Sequence, residues 1–88
     1  MNQTMKPIEF SQHALEQMAE RGAAQEETIA AIRTGETVPA KRGRHGYRRN
    51  FQYNQLWGER RYVVKQVLAI VAEEPDRLVV VTVFTFYF

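Results

Sequence analysis

The chain has no cysteine among its 88 residues. This absence excludes disulfides, a thiolate nucleophile and any zinc site that depends on cysteine ligands. No run of about 18 apolar residues occurs, so we expect no transmembrane segment and no membrane partner. The opening residues, MNQTMKPIEF, lack the apolar core of a signal peptide. We therefore predict a cytoplasmic protein.

The sequence also lacks the motifs of common catalytic and metal sites. It contains no HExxH pair for zinc, no phosphate-binding GxxxxGK(S/T) loop and no GxSxG turn for a serine nucleophile. The two histidines are far apart in the chain and have no cysteine to complete a ligand set. The sequence thus predicts neither a metal site nor a cofactor.

Positive charge is concentrated in the middle of the chain. Residues 1–36 carry three Lys/Arg against six acids, residues 37–65 carry eight against one, and residues 66–88 carry one against three. The resulting charges of −3, +7 and −2 sum to +2 for the whole chain. Such a cluster is typical of a phosphate-binding surface, although a solvated basic loop has the same composition. The candidate RNA-binding residues are Lys41, Arg42, Arg44, Tyr47, Arg48 and Arg49.

Two helices are predicted in the first part of the chain. Ser11 has the side chain of an N-cap and Gly22 suits a helix end, which predicts a helix that stops near Arg21. A second helix is predicted from about Gln25 to Thr34. Apolar residues recur at helical spacing in both segments, so each helix should pack one face on a core.

The remaining sequence has the β-branched and alternating residues of strands. We predict strands at 47–53, 60–72 and 78–88, with a short edge strand or a loop before Pro39. The chain should form one α+β domain, residues 1–88, with two N-terminal helices packed on one face of a three- to four-stranded antiparallel sheet. Its predicted parts are a tail or short strand (1–9), the helical pair (10–35) and the sheet (36–88).

The last predicted strand has more apolar surface than two helices can cover. Unbroken alternation would place Leu78, Val80, Phe84, Phe86 and Phe88 on one face, and Val79, Val81, Val83 and Tyr87 on the other. We therefore expect a homodimer or a heteromer, or nucleic-acid bases on the second face. The alternative is a sheet that curls and closes on itself.

Three residues are candidates for catalysis without a metal. RNA cleavage can proceed with only an acid, a base and cations, because the 2′-hydroxyl is an internal nucleophile. His13 lies one turn into the first predicted helix, and His45 lies among cations that favour its neutral form. Lys65 interrupts an apolar strand. Each also has a structural alternative: a half-buried histidine, an exposed loop histidine, and a lysine at the edge of the sheet.

The stretch FSQHALEQMAERG, residues 10–22, resembles the opening S-x-H-A-x-x-R-M-x-x-R-G of a family of short bacterial domains of unknown function. The later stretches YVVKQVLAIVAEE and RLVVVTVFT look like the paired strands of that family. The matched motif positions are His13, Ala14, Met18, Arg21 and Gly22. The sequence departs from the motif at Gln17, where the family usually has arginine.

In its layout this family is similar to the RelE/ParE-like toxins. The resemblance implies a metal-independent ribonuclease that acts on RNA, on the ribosome or free, under the control of an antitoxin protein. Two other classes stay open, namely a non-catalytic nucleic-acid-binding module and a protein-interaction module. Tyr53 and Trp57 fit either base stacking or a core, and Arg21 is expected to anchor the end of its helix.

Overall fold

The chain folds into one mixed sheet with two helices on one side. The computed structural model describes residues 6–88, so part of the predicted N-terminal segment lies outside the described residues. The elements are β1 (Ile8–Phe10), α1 (Gln12–Arg21), α2 (Gln25–Thr34), β2 (Glu36–Pro39), β3 (His45–Trp57), β4 (Arg60–Glu73) and β5 (Leu78–Tyr87). The strand order is β1-β5-β4-β3-β2. The predicted α+β class with two N-terminal helices is confirmed.

Both helices have the bounds that their capping residues predict. Ser11 Oγ accepts a hydrogen bond from the Ala14 N–H at 3.0 Å, and Gly22 ends α1 with φ 78°, a conformation that suits glycine. At the start of α2 the Glu27 carboxylate accepts the Ala24 N–H at 3.0 Å. Each helix has ten residues. No helix in residues 6–88 is long and apolar enough to cross a membrane.

The sheet has five strands instead of the predicted three or four, and it is not purely antiparallel. β1 pairs in parallel with β5, from Ile8 opposite Leu78 to Phe10 opposite Val80. A three-residue strand is too short to show alternation in the sequence, and its partner lies at the other end of the chain. The prediction of an antiparallel sheet is therefore wrong at this edge. The opposite edge is β2, a short edge strand as one of the two predictions had it.

The hairpin of β3 and β4 is longer than predicted. The turn-forming residues of 54–59 predicted a loop, but the two strands pair as far as Trp57 and Arg60. Asn54 has φ 53° and lies where the register between the strands shifts. At such an irregularity a strand can contain residues that favour turns and still continue beyond them.

A bulge at Val81 changes the direction of the side chains in β5. Ile70 pairs with Thr82 and Val71 with Val80, so Val81 has no partner and the alternation shifts by one residue. The helix side receives Leu78, Val80, Val83, Thr85 and Tyr87, and the other side receives Val79, Thr82, Phe84 and Phe86. The predicted unbroken alternation is wrong, because a run of valines does not reveal which residue is unpaired.

The core lies between the helices and one side of the sheet. Its buried residues include Ala14, Met18 and Ile32 from the helices and Val67, Ala69, Val71, Val80 and Val83 from the strands. Both helices contact this side of the sheet, α1 over β5 and α2 over β3 and β4. Within residues 6–88 no element covers the opposite side, which we call the open face.

Candidate binding face

The open face is the largest surface of the sheet that other parts of the described chain leave uncovered. Register fixes which side chains share it: Leu68 lies beside Phe84, and Gln66 lies beside Phe86. The face includes Arg48, Asn50, Gln52, Val64, Gln66, Leu68, Ile70, Ala72, Val79, Thr82, Phe84, Phe86 and Phe88. Val63 adjoins it, because the Val63 N–H donates to the same Phe88 carbonyl as the Val64 N–H. Phe88 belongs to it because its backbone pairs with that of Val64.

The three phenylalanines of the open face are unusually exposed for their size. Relative exposure is 36% for Phe84, 46% for Phe86 and 57% for Phe88. The first two rings are stacked with centroids 6.5 Å apart. Large apolar side chains gathered on one surface are a mark of an interaction site, whereas scattered single ones are ordinary.

The charges beside the open face lie at its edges, where two arginines have a carboxylate near them and a third, Arg21, stands over the ring of Phe84 at 5.1 Å. At the β2 edge Arg48 Nη2 lies 2.9 Å from Glu36 Oε1. At the β1 edge Arg77 Nε lies 3.7 Å from Glu9 Oε1. Between these pairs the polar side chains are neutral, and Gln66 donates a hydrogen bond to Asn50 Oδ1 at 2.8 Å. The centre of the face is therefore apolar and uncharged.

His13 and His45 lie on surfaces other than the open face. His13 is exposed on α1, which packs against the opposite side of the sheet. His45 begins β3, and its Nε2 lies 3.5 Å from Glu73 Oε1. The hydrogen bond that Lys6 donates to Glu73 at 2.8 Å lowers the pKa of Glu73 below its ordinary value. His45 thus has a carboxylate beside it, in addition to the basic residues that are near it in the sequence.

Lys65 is buried and fully engaged inside the protein. Its ammonium donates to the Gly22 carbonyl at 2.8 Å, lies 2.9 Å from Glu27 Oε1 and stands over the ring of Tyr53. A buried charge is stable only when it is paired and hydrogen-bonded in this way. Lys65, on β4, therefore contacts both the C-terminal end of α1 and the first turn of α2.

The three candidate catalytic residues do not meet. His45 lies opposite Val71 of β4, which is six residues from Lys65 and so about 20 Å away along the strand. Lys65 contacts Gly22 at the C-terminal end of α1, whereas His13 lies at the N-terminal end, about 13 Å away along the helix axis. No single phosphate could contact all three side chains.

The candidate RNA-binding residues are divided among several surfaces. Arg48 lies on the open face and is paired with Glu36, whereas Arg49 points to the helix side and donates to Thr34 Oγ1 at 2.8 Å. Tyr47 is buried in the core. The remaining three form one exposed group in the turn between β2 and β3, with no ion pair in the part of the chain that the structure describes: Lys41, Arg42 and Arg44.

The aromatic residues of the long hairpin form a cluster on the helix side. Trp57 stacks on Tyr87 with ring centroids 4.8 Å apart, and Tyr53 and Tyr62 lie at 5.3 and 5.7 Å from the same ring. Burial raises the pKa of Tyr87, whose hydroxyl donates to the Arg21 carbonyl at 2.7 Å. These rings pack on one another beside the end of α1, which gives Tyr53 and Trp57 a packing role, although Trp57 is still 37% exposed.

Gln17 of α1 forms a hydrogen bond with the backbone at the outer edge of β5, a role that the sequence did not predict. Gln17 Oε1 accepts the Val83 N–H at 2.9 Å, and Arg21 Nη1 donates to the Val83 carbonyl at 2.7 Å. Arg21 thus anchors the helix end as predicted. An arginine at position 17 has no acceptor atom and could not replace the first bond. The four-residue spacing of Gln17 and Arg21 was the signal available in the sequence.

Comparison with known proteins gives one match. The model of the DUF4258 family, a domain of unknown function, matches residues 10–85 and so spans both helices and nearly the whole sheet. Searches of the curated proteins and of the solved structures found no match. The family match agrees with the predicted membership of a family of unknown function. The predicted similarity to RelE/ParE-like toxins stays a prediction.

Proposed function

The chain belongs to the DUF4258 family of domains of unknown function, and we propose that this domain is an interaction module that docks a protein on its open face. One observation carries the proposal: three phenylalanines, Phe84, Phe86 and Phe88, are 36 to 57% exposed on one uncovered side of the sheet. A sheet face with such side chains gains stability when another layer covers it.

The size of the effect supports a docking role. Full burial of a phenylalanine side chain contributes roughly 1.5–3 kcal/mol. Because about half of each ring is still exposed, cover over the three rings would contribute on the order of 3 kcal/mol before the cost of association. Leu68 and Ile70, which are half-buried in the middle of the face, would add to this gain.

The charge distribution favours a protein over a nucleic acid on this face. Nucleic-acid binding depends on cations that neutralise phosphates. The cations of this face lie at its edges: Arg48 and Arg77 have Glu36 and Glu9 beside them, and Arg21 stands over the ring of Phe84 while it donates to the Val83 carbonyl. Bases could stack on the phenylalanines, but their phosphates would meet the neutral side chains of Asn50 and Gln66.

Photocrosslinking in the cells that produce the protein tests this proposal. A photoreactive phenylalanine analogue at position 86 should form one or a few adducts of defined mass, and Phe84→Gln should abolish them. The matched control is the same analogue at Ala19, which is exposed on α1 and lies on the opposite side of the sheet from the open face. Equal adducts from both positions, or none from position 86, would contradict docking on the open face.

A second candidate is an RNA-directed toxin of RelE/ParE-like type, controlled by an antitoxin. The observation that favours it is the exposed, unpaired basic group of Lys41, Arg42 and Arg44. Purified protein should then cleave RNA in the presence of a chelator, and its induced expression should halt growth. Intact RNA and normal growth would remove this candidate.

A further inference from the structure

We propose that the partner on the open face is a second copy of this chain, so that two sheets stack face to face with a two-fold axis between them. The inference rests on the proposed docking function and names its occupant. The open face is a different surface from those that carry the exposed basic turn and the candidate catalytic residues. The resulting dimer has four layers, with each sheet covered by its own helices on one side and by the partner's sheet on the other.

The charge pattern of the face fits a copy of itself. In a two-fold interface the same patch meets itself, so any unpaired charge near the axis would meet a like charge. Here the open-face side chains of β4 and β5 near the axis are uncharged. The charges lie at the edges, where Glu36 and Glu9 are beside Arg48 and Arg77 and Arg21 stands over the ring of Phe84, so none of them meets its own copy at the axis.

The apolar stripe of the face is also arranged for self-association. Leu68 and Ile70 of β4 run beside Thr82 and Phe84 of β5 in two adjacent rows. Rotation about an axis between these strands places β4 of one copy over β5 of the other, and the reverse. Aligned sheets stack about 10 Å apart with their side chains interdigitated, which would bury the phenylalanine rings against leucine and isoleucine of the partner.

The area of the face is of the order that a dimer requires. From Val64 to Ala72 the open side of β4 is about 26 Å long. Three strands, β3 to β5, share this length, and β1 and β2 widen the sheet at one end only, so the mean width is about 15 Å. The flat area is thus about 400 Å², and the relief of the side chains raises the accessible area towards the ~500 Å² per partner that a specific interface requires.

Sedimentation equilibrium is the first arm of the test. At about 50 µM, a concentration well above a micromolar Kd, the native chain should sediment near twice its mass of 10.3 kDa. The variant Phe84→Gln/Phe86→Gln should be a monomer with at least a tenfold weaker Kd and an unchanged circular dichroism spectrum. The control Ala19→Gln/Glu20→Gln changes two exposed residues of α1, on the opposite side of the sheet, so it should remain dimeric.

Cysteine trapping is the second arm, and it does not depend on how a core variant folds. Because the chain has no cysteine, Thr82→Cys introduces a single thiol on the open face, whereas Ala19→Cys introduces one on the exposed side of α1. Mild oxidation should give a disulfide-linked dimer from Thr82→Cys at least ten times faster than from Ala19→Cys. Equal rates would overturn the stacked arrangement.

The outcomes separate this inference from the docking proposal. A native monomer at about 50 µM that still forms adducts of another mass from position 86 would overturn the second copy and leave docking intact. A monomer with no adduct from position 86 would overturn both. A dimer that survives Phe84→Gln/Phe86→Gln would place the interface on another surface and overturn the inference.

Discussion

At the residue scale, the clearest electrostatic feature is the pair of Lys65 and Glu27. Lys65 is 7% exposed, and its ammonium has the Glu27 carboxylate, the Gly22 carbonyl and the Tyr53 ring as neighbours. Removal of one partner from such a pair leaves a charge without compensation, which costs more than the pair contributes. The sequence placed Lys65 near a phosphate, but its contacts in the structure stabilise the junction of the two helices with the sheet.

We predict that Lys65→Met lowers the free energy of unfolding by about 2–4 kcal/mol, because Glu27 is left without its cation. Glu27 is partly exposed, which keeps the cost at the lower end of that range. The double variant Lys65→Met/Glu27→Gln should recover part of the loss. Urea denaturation of the three proteins measures both values. A stability loss of less than ~0.5 kcal/mol in the single variant would show that the pair of Lys65 and Glu27 does not stabilise the fold.

For His13 we predict little effect on stability, in contrast to Lys65, because His13 is exposed on α1. His13→Ala should change the free energy of unfolding by no more than about 0.5 kcal/mol. If the protein cleaves RNA with His13 as acid or base, turnover should fall by about 10²–10⁴. Gln12→Ala, a change at the neighbouring exposed position, is the control for both measurements. Unaltered cleavage by His13→Ala would exclude a catalytic role for this histidine.

At the element scale, the end of α1 depends on a glycine for two separate reasons. Gly22 has φ 78°, and a Cβ atom there would lie 2.7 Å from the Trp57 ring and 2.7 Å from the Tyr87 hydroxyl. Gly58, in the hairpin turn, has φ 64° but nothing within 4 Å of the same position. The two glycines therefore differ in packing while they share a left-handed backbone.

We predict that Gly58→Ala costs about 1–2 kcal/mol, the penalty of an L-residue in the left-handed region. Gly22→Ala should cost about 1–3 kcal/mol more, because the new methyl group displaces the rings of Trp57 and Tyr87. Thermal and urea denaturation give the difference between the two variants. Near-ultraviolet circular dichroism of Trp57 should change in Gly22→Ala alone. Equal losses of stability in the two variants would mean that the rings of the aromatic cluster move aside without strain.

The same elements show what the sequence could and could not predict. Capping residues are local, so Ser11 and Gly22 fixed the bounds of α1 correctly. Pairing between distant segments is not local, and neither the parallel β1 nor the bulge at Val81 had a signal in the pattern. The three phenylalanines share one face with or without the bulge, but the bulge puts them on the side opposite Leu78 and Val80. The apolar surplus of β5 and the grouping of its phenylalanines were therefore predictable, but the side of the sheet on which they lie was not.

At the scale of the whole molecule, the basic middle block of the sequence does not become one basic surface. The two ends of this basic block are separated by the long strand β3, in a molecule that is 42 Å long. The turn with Lys41, Arg42 and Arg44 precedes β3, whereas Arg60 and Arg61 follow it at the tip of the hairpin. Proximity in sequence is lost here because an extended strand carries its ends apart by ~3.3 Å per residue.

This separation gives a prediction for RNA binding. If RNA contacts the basic turn, replacement of Lys41, Arg42 and Arg44 by Gln should reduce the slope of log K against log salt by up to about 2, since each lost phosphate contact removes about 0.7. Arg60→Gln/Arg61→Gln is the matched control, because it removes charge at the far end of β3 and should leave the slope unchanged. Fluorescence anisotropy with a single-stranded RNA at several salt concentrations measures it. An equal change from both variants would mean that the RNA responds to the net charge of the protein and not to a defined site. If neither variant changes the slope, the exposed turn binds no phosphate, and the proposed docking on the open face is the candidate that remains.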